Sequence, residues 1–157
     1  MKDSDRSESP REIDTLWDHS RPAKSEARFR ELLPRVSDEP EYSLQLLTQI
    51  ARAQGLQGEF LEAHKTLDEV QKRLAEHLVV ARVRYLLERG RVFSSSGKPS
   101  DAKPYFVQAW ETASSATLDF YAVDAAHMVA IVERAEDQVA WSSRAIEVAS
   151  TSRDPRT

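Results

Sequence analysis

The chain has 157 residues, 40% hydrophobic and 31% charged, and its 22 basic and 26 acidic side chains leave a formal charge of −4. That length suffices for one domain with its own core, while the acidic, well-mixed charge argues against a nucleic-acid binder, which needs a basic surface to release counterions. The absence of cysteine excludes disulfides and thiolate metal sites, and no apolar run approaches the roughly 20 residues that span a bilayer, so the expectation is a cytoplasmic protein that engages neither nucleic acid nor membrane.

Residues 1–8 are polar and charged, the composition of a disordered tail. Ser9-Pro10-Arg11-Glu12 has the form of a helix start, with a capping serine, a proline that lacks the superfluous N–H, and a glutamate placed to reach back. The short leading helix that follows carries Ile13, Leu16 and Trp17. Ser20-Arg21-Pro22 opens a second helix with Ala27, Phe29, Leu32 and Leu33 on its apolar side and Pro34 near its end. Asp38 is the expected N-cap of the next, whose Leu44, Leu47, Ile50 and Ala51 form one stripe at helical spacing. After the interruption at Gly55 to Gly58 comes a stripe of Phe60, Ala63, Leu67, Val70 and Leu74, and then a helix from Leu78 to Phe93. The stretch GRVFSSSGKPSDAKPYFVQA turns into a helix with Ala102, Tyr105, Phe106, Ala109 and Trp110. Thr117 or Asp119 caps a helix through Ile131, and a last helix runs from about Asp137 to Ala149. No alternating strand pattern occurs. The expected class is all-α, about seven helices plus the short leading one, in a single domain over 9–150 with units at about 10–36, 40–75, 78–115 and 118–150 and a flexible tail at 151–157.

A repeat runs through this pattern. Gly58, Ala63, Leu67 and Val70 recur 39 residues later as Gly97, Ala102, Phe106 and Ala109, and upstream Leu47, Ile50 and Ala51 recur as Leu86, Arg89 and Gly90. The physical reading is a helix hairpin. A small residue at Ala51 or Gly90 admits the second helix closely, and the later glycine ends the first helix in a left-handed conformation. Ala63 or Ala102 then offers a flat contact, and Leu67 or Phe106 fills the seam.

In its second unit this set resembles the tetratricopeptide repeat, through Leu86, Gly90, Phe93, Ala102 and Phe106. It departs from the family pattern where Arg89 replaces a buried leucine, where Ser114 replaces the closing proline, where Gln54 replaces the first unit's aromatic, and in a period longer than the usual residue count of about 34. A third unit fits more loosely, through Ala126, Val129, Ser142 and Ala145. The stretches LTQIARAQGLQGEFLEAHKTLDEV and DAAHMVAIVE are also similar to a group of bacterial tetratricopeptide proteins whose chains continue with further repeats, which implies a shortened form or a fragment. The resemblance implies a right-handed superhelix of antiparallel helix hairpins and a scaffold or adaptor role. It implies no enzyme activity and no cofactor.

In such a solenoid the first helix of each hairpin lines a concave groove that takes an extended peptide or a helix. By helical phase the groove residues are Gln45, Gln49 and Arg52, then Arg84, Glu88 and Arg91, then Asp124 and His127. Arg52, Arg84 and Arg91 form a candidate ladder for acidic groups of a protein or peptide partner through forked hydrogen bonds. At Arg89, where a leucine belongs, the expectation is a rotated helix or an arginine that snorkels to solvent. The last helix spreads Val139, Trp141, Ile146 and Val148 over more than one face, so an assembly role through a C-terminal homodimer contact is the alternative expectation. Four histidines and the acidic residues show no catalytic or metal-ligand spacing, so no catalytic, cofactor or metal site is expected.

Overall fold

A computed structural model describes residues 13–157. The tail at 1–8 and the helix start at Ser9 to Glu12 lie outside the described residues. After a helical turn at 13–15, the helices are α1 (Pro22–Leu32), a 3-10 turn (Leu33–Val36), α2 (Pro40–Leu56), α3 (Phe60–Arg73), α4 (Val79–Ser95), α5 (Pro99–Ser115), α6 (Asp119–Val132) and α7 (Ala135–Thr151). No strand occurs among the described residues, whose fold is all-α. The residues divide into two compact units, one ending at Leu74 and the other beginning at Ala75.

Proline and backbone geometry, rather than polar caps, punctuate these helices. Pro22, Pro40 and Pro99 open α1, α2 and α5, where a missing N–H costs nothing and φ is already helical. Asp38 is not the N-cap of α2: that position is Glu39, and no side chain caps it. Pro34 has no N–H to continue the α-helical ladder, so α1 ends at Leu32 and tightens into the 3-10 turn.

The hairpin turns are alike. Gly58 and Gly97 adopt φ of +79° and +82°, and the next N–H reaches back five residues, Glu59 to Gln54 O at 2.9 Å and Lys98 to Phe93 O at 2.8 Å. This is the Schellman closure, which needs a left-handed residue. Thr117 makes the same turn at φ +54°, with Leu118 N–H on Ala113 O at 2.9 Å. Thr117 therefore closes α5 instead of capping α6, whose N-cap is Leu118.

In the first unit α2 packs against α1 and α3. Ile13, Phe29, Val36, Tyr42, Leu46 and Ile50 form a buried cluster edged by Leu16, Trp17, Leu32, Leu33 and Leu47. Ala27 is exposed; the buried face of α1 is Ser25 and Phe29. Ser25 tolerates complete burial because its Oγ accepts the Asp18 N–H at 2.7 Å and donates to the Asp18 carbonyl at 3.1 Å. On α3 the contact face is Ala63, Leu67 and Val70, all fully buried.

In the second unit each helix packs on the next, α4 on α5, α5 on α6 and α6 on α7. Ala102, Phe106 and Ala109 of α5 are fully buried, matching the α3 positions that lie 39 residues earlier in the chain. Gly90 shows why a small residue stands in α4: a Cβ there would run into the Phe106 ring, 2.7 Å from Cδ1 and 2.9 Å from Cζ. Phe93 stacks on Tyr105 with centroids 5.6 Å apart, and Trp110 meets Trp141 edge-on at 5.8 Å. Arg89 does not snorkel. It is 5% exposed, with its guanidinium 5.4 Å from the Tyr85 ring centroid, so an aromatic face on its own helix replaces the expected outlet to solvent.

Candidate functional site

Helices α2 and α4 carry six of the eight candidate groove residues, and both are buried nearly all round. Gln45, Gln49, Arg84 and Glu88 are at most 4% exposed. These four do not line an open surface, because burial extends well beyond the single apolar stripe that helical phase defined.

In the first unit the chain supplies its own occupant for Gln49 and Arg52. Trp17 Nε1 donates to Gln49 Oε1 at 2.9 Å, and the Arg52 guanidinium lies 5.4 Å from the Trp17 ring centroid. Trp17 also meets Phe29 edge-on at 5.2 Å and stacks on His19 at 4.7 Å. The half-buried indole thus packs its apolar body against the edge of the core and has its N–H satisfied. Gln49 and Arg52 hold the segment at 13–19 against α2.

In the second unit the structure brings Glu88, Arg91 and Asp124 together. Arg91 Nη1 donates to Glu88 Oε1 at 2.7 Å, and its Nη2 donates to both Asp124 oxygens, 2.7 Å from Oδ1. Burial disfavours the guanidinium charge, but the two carboxylates outweigh it and hold its pKa above the ordinary arginine value. This cation is neutralised within the fold, and it ties α4 to α6. Arg84 lies 5.3 Å from the Tyr121 ring centroid, a second α4–α6 contact. Neither Tyr121 nor Trp17 belongs to the candidate set read from sequence; both are aromatic partners of arginines more than 30 residues away, a relation that helical spacing does not encode.

Of the eight candidates His127 alone is exposed, while Arg52, Arg91 and Asp124 are half-buried, and the stripe that continues outward from His127 is on α6. Phe120, Asp124, His127 and Ile131 recur at helical spacing on one face. Phe120 is half-buried under Arg156, at 4.3 Å, and Asp124 keeps 28% of its side chain exposed. His127 is exposed, and Ile131 is 54% exposed. Arg156, whose pKa is raised chiefly by its hydrogen bond to Asp154, also borders a cavity of about 430 Å³ between the start of α6 and the residues after α7.

Among the described residues no group of three or more His, Asp or Glu side chains converges to hold a metal ion, and no helix is long and apolar enough to cross a membrane. No protein-family model, curated protein or solved structure matches the chain.

Proposed function

We propose that this protein is a non-enzymatic interaction module of the cytoplasm, built from helix hairpins of tetratricopeptide type. The observation that carries this reading is the equivalence of two hairpins 39 residues apart. Gly58 and Gly97 share one left-handed turn, and Ala63, Leu67 and Val70 are buried as completely as Ala102, Phe106 and Ala109. Hairpin arrays present the first helix of each unit to a peptide or helix.

On this reading the docking face is the α6 stripe of Asp124, His127 and Ile131 rather than an arginine ladder. Arg91 serves Glu88 and Asp124, and Arg52 serves Trp17. An exposed isoleucine beside a histidine and a carboxylate suits a partner segment with an apolar anchor flanked by polar groups.

The test is affinity capture from the native cell lysate with the intact chain beside a His127→Glu/Ile131→Glu variant. A protein retained by the first and lost by the second, with helical content equal in both, identifies the partner. Identical captured sets overturn the proposal. Reversal of Arg91 is a poor probe, because it would place three carboxylates together in the fold.

A further inference from the structure

Helix α7 has a single buried residue, Ala145, so most of its surface is outward. Val139 and Ile146 are 72% and 66% exposed. At 3.6 residues per turn, Ala135, Val139, Ser142, Ser143, Ile146 and Ser150 share one face, and all six are exposed and uncharged. The helix keeps its charges, Glu136, Asp137, Arg144 and Glu147, off the centre of this stripe.

The stripe is symmetric in kind about the point between Ser142 and Ser143. Val139 and Ile146, both β-branched, stand equally far from that point, and the small residues Ala135 and Ser150 stand equally far beyond them. We infer that this face is the contact between two copies of the chain, with the α7 helices antiparallel about a two-fold axis at the Ser142–Ser143 midpoint. A two-fold interface requires that when residue i meets j, j meets i. Here each Val139 meets the second copy's Ile146, and serine meets serine where the helices cross. The small central side chains allow the axes to approach at the near end of the usual 8–10 Å.

Area and charge set the strength. The stripe is about 22 Å long with two large apolar side chains per copy. That falls well short of the roughly 800 Å² per partner of standard interfaces, so the association is weak. Two chains of net charge −4 repel, and an uncharged stripe is where they can meet, so added salt tightens the dimer by screening. This inference does not depend on the docking face of α6.

The chain has no cysteine, so introduced thiols report geometry without interference. Sedimentation equilibrium from low micromolar to millimolar should show mass rising with concentration, and Ile146→Glu should abolish the rise while leaving the helical spectrum intact. Under mild oxidation at high concentration, Ala135→Cys should cross-link to Ser150→Cys in a mixture, while neither variant cross-links to itself. A chain that stays monomeric throughout leaves the face to a different protein and overturns the inference. Self-linking of Ala135→Cys as fast as the mixed pair overturns the antiparallel register.

Discussion

Gly90→Ala separates two physical effects by sign. In a helix interior, glycine to alanine is ordinarily stabilising by about 0.5–1 kcal/mol, because the unfolded glycine has more freedom to lose. Gly90 lies within α4, so propensity alone predicts a gain. The new Cβ, however, would meet three atoms of the Phe106 ring, 2.7 Å from Cδ1 and 2.9 Å from Cζ. Phe106 is fully buried and has no open space to swing into, so the helices must separate or the ring must leave its rotamer. Overpacking of that kind costs about 1–3 kcal/mol, so the net loss after the propensity gain is deducted runs up to about 2.5 kcal/mol and centres slightly above about 1 kcal/mol. Urea unfolding followed by circular dichroism should show a lower midpoint with an unchanged slope. Gly90→Ala/Phe106→Leu should recover most of the loss, since a smaller side chain relieves the contact and the two sites are coupled. A Gly90→Ala chain more stable than the native one would refute the claim that α4 and α5 are held close at this point.

Arg91→Met takes one hydrogen-bonded cation from the buried Glu88 and from Asp124 and should destabilise the fold by about 1–3 kcal/mol, whereas Asp124→Asn, at a more exposed carboxylate, should cost less; thermal unfolding ranks the two. Thr117→Gly should stabilise by roughly 1 kcal/mol and Gly97→Ala should destabilise by a similar amount, because both positions are left-handed; urea midpoints that move the other way contradict the shared turn. Lys103 donates to Glu133 at 2.9 Å and, against the opposing effect of burial, lowers the Glu133 pKa. A carboxylate whose folded pKa is depressed contributes stability above its unfolded pKa, and that contribution is lost as pH falls through the folded value. The melting-temperature difference between the native chain and Lys103→Met should therefore shrink as pH falls below about 4.3; a difference constant from neutral to strongly acidic pH would remove this pair from the acid response.

Element type and order were legible because they rest on local rules. The 3-4 spacing of Ala63, Leu67 and Val70, and its recurrence at Ala102, Phe106 and Ala109, marks both hairpins, and Gly58 and Gly97 mark their turns. Gly90 was readable as a close-approach position because only a glycine fits beneath a buried ring. Thr117 was not readable as a turn residue, since a β-branched side chain at positive φ contradicts its own preference. The candidate groove was legible only in part. Helical phase names which residues point away from one apolar stripe, but α2 and α4 are buried on several sides, so Gln45, Gln49, Arg84 and Glu88 passed from face to interior. The roles of Trp17 and Tyr121 arise from tertiary contact alone. For Arg89 a rotated helix or an escape to solvent was expected, and it is instead buried with the Tyr85 ring, one turn back on α4, beside its guanidinium.

Docking of a partner on the outward stripe of α6 is the functional role proposed for this protein. Its most direct test is calorimetric titration of a captured partner against the native chain and against Ile131→Glu, with circular dichroism to show that both remain folded. Docking on this stripe requires at least a tenfold weaker affinity for the variant, about 1.4 kcal/mol. Equal affinities would contradict it.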